Sequence, residues 1–238
     1  MIPIHFTRAR LRTGPGASSL AAFLASASGR IGHGHHLVWS LFGNCDGNRP
    51  FVYRVCRDRG AAVPDSYLLY STVAPEDRHN LWDLERRTFG LPDALRAGDR
   101  VLWSIRVNPV VKSDGKKHDV VGRALREWQA AYPNASPEER PRVDDLARTM
   151  VPRWLAPRLE QRGLLAAPDV MTVECHRRER FLKSPNEIKA PREPVVISMS
   201  DVAGLGEITD PAALREALST GIGGAGAYGC GMLLLRRA

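Results

Sequence analysis

Gly221-Ile222-Gly223-Gly224-Ala225-Gly226-Ala227-Tyr228-Gly229-Cys230-Gly231 is followed by the apolar run Met232 to Leu235 and preceded by Thr209-Asp210-Pro211. Asp210 suits a helix N-cap and Pro211 a first helical turn, so Ala212 to Leu218 reads as a helix. The glycine run therefore joins a helix to a strand. Gly221, Gly223 and Gly226 match G-x-G-x-x-G, but a dinucleotide fingerprint follows a strand and opens a helix. The order here is the reverse, which sets aside a doubly wound nucleotide fold. Six glycines in eleven residues are more than a simple turn requires. They let a backbone approach a partner closely and aim its N–H groups at phosphate oxygens.

Toward the N-terminus the chain mixes strands and helices. Ile2 to Leu11 alternates imperfectly and reads as a strand that runs into the turn Thr13-Gly14-Pro15-Gly16. Ser18 to Ser28 is a small-residue helical stretch, and His35 to Phe42 sets Leu37, Val38, Leu41 and Phe42 at helical spacing. Pro50 to Cys56 and Ser66 to Val73 read as strands, and Leu81 to Arg87 as a short polar helix. Arg100 to Val107 is the clearest strand, stopped by Asn108-Pro109. Strand, helix, strand, strand, helix, strand is the βαββαβ plan of ferredoxin-like and RNA-recognition modules.

Residues 119 to 163 are helical in character, with Pro133, Pro137, Pro141, Pro152 and Pro157 as expected breaks. Strands return at Val170 to Cys175 and Val195 to Met199. The expected fold is α+β: tandem ferredoxin-like (RRM-like) βαββαβ domains with a helical insertion and the C-terminal glycine-rich loop. The expected domains are 1–112 and 113–238, joined at the polar connector Asn108 to His118.

Length and composition suit such a fold: 238 residues, 43% hydrophobic and 25% charged, argue against wholesale disorder. Lys and Arg outnumber Asp and Glu by 34 to 26, a formal charge of +8 that fits a polyanionic partner. No run of about eighteen apolar residues is present, so no membrane span is expected. Met1 to Arg8 lacks the cationic start and apolar run of a signal peptide, which makes a cytoplasmic location the expectation. Cys45, Cys56, Cys175 and Cys230 are scattered without a C-x-x-C pair, so reduced thiols are expected rather than a zinc ribbon or redox dithiol.

Three blocks in order carry a family likeness. Thr209-Asp210-Pro211, its helix, and Gly221 through Leu233 resemble the C-terminal signature of the repeat-associated RAMP proteins. His35-His36-Leu37-Val38-Trp39-Ser40-Leu41-Phe42-Gly43-Asn44 resembles a histidine-bearing helix, and Gly98 to Lys112 a strand ending in Arg-x-Asn-Pro, of one branch of that superfamily. That branch is CasE, the CRISPR repeat endonuclease of the type I-E Cascade; the related type IV processing enzyme is also similar.

The resemblance implies an endoribonuclease that binds the hairpin repeat of precursor CRISPR RNA. The ribose 2′-hydroxyl attacks the neighbouring phosphate, no metal or other cofactor is used, and the product is mature crRNA. The same protein would keep company with other subunits of a CRISPR effector complex. Four residues before Trp39 stands His35, the position of the family's catalytic histidine; a helix start shifted by one residue would exchange it for His36. Histidine suits the task because its ordinary pKa near 6.5 lets it accept and donate protons around neutrality.

The family loop often carries a lysine where this chain has Gly226. Arg30 before the histidine helix, and Arg236 or Arg237 after the loop, are candidates to supply that charge. Loss of the lysine also leaves room for a different class of function: a weakly active or inactive subunit that binds the crRNA hairpin without cutting. Two basic segments are candidate RNA contacts. Arg106, Lys112, Lys116 and Lys117 lie in the first, and Arg177, Arg178, Arg180 and Lys183 in the second. Gly223, Gly224, Gly226, Tyr228 and Arg237 complete the expected RNA-binding set.

Overall fold

The computed structural model describes residues 4–12, 32–43, 49–56, 66–89, 95–113, 115–181 and 195–238, with the backbone alone at 32, 33, 89 and 181. The expected helix Ser18 to Ser28 lies outside the described residues. Strands β1 (Ile4–Leu11), β2 (Phe51–Cys56), β3 (Ser66–Ser71) and β4 (Trp82–Phe89) form an antiparallel sheet in the order β2-β3-β1-β4. Helix α1 (Gly32–Trp39) covers one face of it. Two glycines and three histidines in its eight residues give α1 little helical propensity. Tertiary burial holds it: Leu37, Val38, Leu41 and Phe42 pack with Phe51, Tyr53, Tyr67 and Leu69, each buried side chain contributing roughly 1.5–3 kcal/mol.

Leu81 to Arg87, expected as a polar helix, is instead most of β4. It pairs with β1 along its whole length, from Ile4 opposite Phe89 to Leu11 opposite Trp82. Its charges are those of an edge strand, where Arg10–Glu85 (3.1 Å) and Arg12–Asp83 (3.0 Å) pair across to β1.

The remaining elements are β5 (Arg100–Val107), β6 (Val110–Ser113), β7 (Lys116–Asp119), α2 (Val120–Ala131), α3 (Val143–Glu160), β8 (Leu164–Leu165), β9 (Met171–Phe181), β10 (Val195–Ile208), α4 (Pro211–Thr220) and β11 (Leu233–Arg237). The second sheet runs β11-β5-β10, with β9 and β8 sharing the far side of β10. Both sheets thus have the ferredoxin-like order: fourth strand, first, third, second.

Strand β5 does not close the first unit, as its place in the chain suggested. It pairs with β10 and β11 and opens the second. Val101, Trp103, Ile105 and Val107 alternate inward and share a core with Leu155 and Leu159 of α3 and Leu214 and Leu218 of α4. That core is what claims the strand.

Pro152 and Pro157 do not break the helix as expected; both lie inside α3. Each forfeits a backbone hydrogen bond, but Val151, Trp154, Leu155 and Leu159 are buried around them, and several such burials outweigh a cost of about 3 kcal/mol per proline. Helix α4 is capped as its sequence indicates: the Asp210 carboxylate accepts from the N–H groups of Ala212 and Ala213. It ends at Gly221, whose φ of +83° and contact with Val52 favour glycine. Val52 and Tyr70 share a core with Leu214 and Ile222, so the first sheet is packed on both faces. Among the described residues no helix is long and apolar enough to cross a membrane.

Candidate active site at the glycine-rich turn

Strand β2 is one edge of the first sheet, and the glycine-rich loop of the second unit comes to rest against it. The contact is specific: the Tyr53 hydroxyl donates to the Ala227 carbonyl at 2.7 Å, within a single 3₁₀ turn at Gly226–Tyr228. Burial pushes the Tyr53 phenol up, so it stays a donor. Helix α1 crosses the same edge and lays His35 over Tyr53, ring centres 6.2 Å apart and 29° from parallel. Phe51 lies 5.8 Å from the imidazole and Trp39 meets it edge-on at 6.1 Å. The histidine helix and the loop therefore come together at Tyr53, beside Gly226 and Ala227. Gly223 and Gly224 are exposed, and Gly223 points toward Trp154 of α3.

The Trp39 indole N–H donates to His35 Nε2 at 3.0 Å, which assigns the ring's proton to Nδ1. That Nδ1 is buried and has no partner among the described residues. Burial, then the Arg49 charge, then His36, lower the His35 pKa to about 4. His35 is thus a neutral imidazole near pH 7, which suits a base. His36 is exposed on the next position of the helix, its ring 6.0 Å from that of His35.

A buried charge cluster fixes the loop against β2. Asp201 of β10 takes Arg106 Nε at 2.7 Å and Arg106 Nη2 at 3.0 Å, Arg177 Nη1 at 2.9 Å and Arg54 Nη2 at 3.4 Å. Arg54 belongs to the first sheet, and Arg106 also donates to the Val55 carbonyl at 3.0 Å. The Arg106 carbonyl in turn accepts from Gly231 N–H at 2.7 Å. One carboxylate therefore ties the edge of the first sheet, the centre of the second and the loop's exit. Burial alone would raise its pKa, but the hydrogen bonds and charges of Arg106, Arg177 and Arg54 bring it below the ordinary value.

The basic residues expected to meet RNA divide into two groups. Arg106 and Arg177 are engaged inside this cluster, Arg177 also by Glu179. Lys112, Lys116 and Lys117 stand exposed on the β6–β7 hairpin, with Lys112 directly opposite Lys117. Like charges facing each other on a two-stranded ribbon repel, an arrangement that a polyanion relieves. Arg180 is exposed, and Arg178 pairs with Asp119 at 3.0 Å. Lys117, His118, Arg126, Arg178 and Tyr228 line a cleft of about 560 Å³ that opens beside the glycine loop. Tyr228 is half-buried there.

Arg237 lies at the end of β11 remote from the loop, opposite Val101 and 3.8 Å from Asp99. Arg236 is next to it on that strand, opposite Leu102, and no contact joins either residue to His35 among the described residues. Arg30 and Lys183 lie outside the described residues. Sequence reasoning missed Arg49, Tyr53, Arg126 and Asp201. Arg49 and Tyr53 could have been found as polar residues just before and within the first strand after the histidine helix. Nothing in the sequence marks Asp201 as the centre of a cluster drawn from four strands. Among the described residues no three His, Cys, Asp or Glu side chains gather to hold a metal ion.

A family model described as CRISPR associated protein matches residues 5–237. No curated protein sequence matches the chain. Among solved structures, Thermus thermophilus Cse3 bound to an RNA representing a pre-cleavage complex is similar, with TM-score 0.67 and 17% identity over 98% of this chain and 99% of that one. Cas6e of Escherichia coli K-12 gives TM-score 0.54 and 17% identity over 98% and 100%. A chain of a CRISPR RNA-guided surveillance complex gives 0.58 and 16% over the same shares. At this identity the likeness speaks to the fold. The chain belongs to the CRISPR-associated protein family and has the tandem ferredoxin-like α+β fold of Cse3 and Cas6e.

Proposed function

We propose that this chain is an endoribonuclease that binds the hairpin repeat of precursor CRISPR RNA and cuts it by 2′-hydroxyl attack, without metal. The observation that carries the reading is the junction of His35 with the Gly226–Tyr228 turn through Tyr53. A base and a close-approach backbone thereby share one edge of the molecule. The similarity to RNA-bound Cse3 supports repeat RNA as the substrate class.

In this reading the scissile linkage lies across the turn. His35 Nε2, now accepting from Trp39, takes the proton of the 2′-hydroxyl. The 2′-oxygen bonds to phosphorus, the bond to the 5′-oxygen breaks, and that oxygen leaves with a proton from water, whose hydroxide takes back the proton held by His35. A 2′,3′-cyclic phosphate and a 5′-hydroxyl result. The exposed lysines of the β6–β7 hairpin and the basic cleft beside Tyr228 would hold the stem through its phosphates. We also propose that the chain divides into two units between β4 and β5, along the boundary of its two sheets rather than after residue 112. The similarity to a chain of a surveillance complex supports retention of the cut RNA alongside other subunits. The reaction belongs in the cytoplasm with its transcript.

Incubation of the protein with a CRISPR repeat hairpin in EDTA tests the reading. Cyclic-phosphate product that is lost in His35→Ala and kept in His36→Ala is expected. Tight binding with intact RNA would instead favour the non-cutting subunit. One observation leans that way: the lone pair of His35 Nε2 is already engaged.

A further inference from the structure

The endonuclease reading leaves a charge unaccounted for. Attack on a phosphodiester concentrates negative charge on the two non-bridging oxygens, and a neutral imidazole cannot offset it. Position 226 has no side chain, and Arg236 and Arg237 run away from the loop on β11.

Arg49, two residues before β2, fills that space. Its guanidinium lies over Gly226 so closely that a Cβ built there would stand 2.5 Å and 2.6 Å from the two Nη atoms and 3.0 Å from Cζ. The same guanidinium sits 5.9 Å from the centre of the Phe51 ring, and Phe51 in turn lies 5.8 Å from the His35 imidazole. Arg49 and His35 thus both lie within 6 Å of one aromatic ring. Arg49 is half-buried, burial works against its charge, and no carboxylate among the described residues pairs with it. Burial disfavours a cation, and an anion bound against it offsets that cost.

We infer that Arg49 is the phosphate ligand of this site, gripping the non-bridging oxygens of the scissile linkage against the Gly226–Ala227 backbone. The inference rests on the endonuclease reading for the identity of the anion, but the site itself is defined by geometry. Arg49 keeps its proton throughout and donates hydrogen bonds. The absent Cβ at position 226 is part of the site, because any side chain there would displace the guanidinium. Gly226 has no left-handed φ, so steric exclusion, not backbone strain, is the reason for glycine.

Reciprocal variants test this. Arg49→Gln is expected to lower single-turnover cleavage by about 10²–10³-fold, while binding of an uncleavable 2′-deoxy hairpin changes far less; Arg49→Lys recovers part of the rate. Gly226→Lys alone is expected to impair cleavage by displacing Arg49. In the Arg49→Gln background the same lysine has room and recovers at least about tenfold, since one cation from either side fills one space. A second readout needs no cleavage. The His35 ring, which faces Arg49 from β2's lead-in, His36 from its own helix and Tyr53 from β2, is followed by NMR titration with sodium sulfate. Sulfate should raise its pKa in the native protein and not in Arg49→Gln. Cleavage by Arg49→Gln within about threefold of native, or equal sulfate shifts in both proteins, overturns the inference. If the native protein binds sulfate at Arg49 but cuts no repeat RNA, the endonuclease reading fails and the anion site stands.

Discussion

Replacing Asp201 by asparagine perturbs the junction of the two sheets at its centre. The change is nearly isosteric, so packing is kept while the charge that three arginines share is removed. The three do not lose equally. Arg177 retains Glu179 at 2.6 Å and its side chain is 31% exposed, so its share is small. Arg54 retains Ser104 Oγ at 3.1 Å, and Arg106 retains the Val55 carbonyl, yet both are only 13–14% exposed and lose their counter-charge. Removing one partner of a buried pair typically costs about 3–5 kcal/mol. With two arginines stranded and one partly solvated, about 3–4 kcal/mol is expected here. Equilibrium urea unfolding at neutral pH reads it directly.

The pH dependence follows from the same carboxylate. Its folded pKa is lowered, so its contribution is complete above the ordinary carboxylate value and is lost as pH falls through the depressed folded value. The gap between native protein and Asp201→Asn should therefore be constant near neutrality and shrink below about pH 4. A loss under about 1 kcal/mol, or a gap that widens on acidification, would refute the clamp.

The remaining expectations concern the site. Because burial lowers the His35 pKa to about 4, the acid limb of kcat/KM should lie near that value, and a limb near 6.5 would refute His35 as the base. Tyr53→Phe removes the hydrogen bond to the Ala227 carbonyl; a stability loss of about 1 kcal/mol in urea and slower cleavage at unchanged RNA affinity are expected. Neutralising Lys112, Lys116 and Lys117 should weaken binding similarly across RNA sequences. It should also flatten the dependence of log K on log salt by about 0.7–0.9 for each phosphate that a lysine no longer neutralises, measured by filter binding.

The elements that the sequence disclosed are those with a strong local signal. Arg100 to Val107 alternates cleanly, and Asp210-Pro211 is an N-cap and first turn in any context. What the sequence concealed was decided by distant partners. Nothing local says that β5 will pair with β10, a hundred residues on, rather than with β1. The charged run Asp83 to Arg87 has no apolar stripe, so its strand character comes from pairing with β1. At the site, the pairing of His35 with Trp39 was legible because their spacing is local, and the two do meet by hydrogen bond; the role expected of His35 came from the family resemblance. Arg106 was read as an RNA contact because its charge is visible in the sequence, whereas the carboxylate that consumes it lies 95 residues away. Arg49 was missed for the converse reason: its neighbour Gly226 comes from the other end of the chain.

A structure of the protein on a repeat hairpin carrying a 2′-deoxy at the scissile nucleotide is the most direct measurement. The scissile phosphate is expected at the Gly226–Ala227 turn, with His35 Nε2 within about 2.6–3.2 Å of the 2′ position or one water away. A phosphate seated elsewhere on the basic surface, with His35 still enclosed by Trp39, Phe51 and Tyr53, would contradict it.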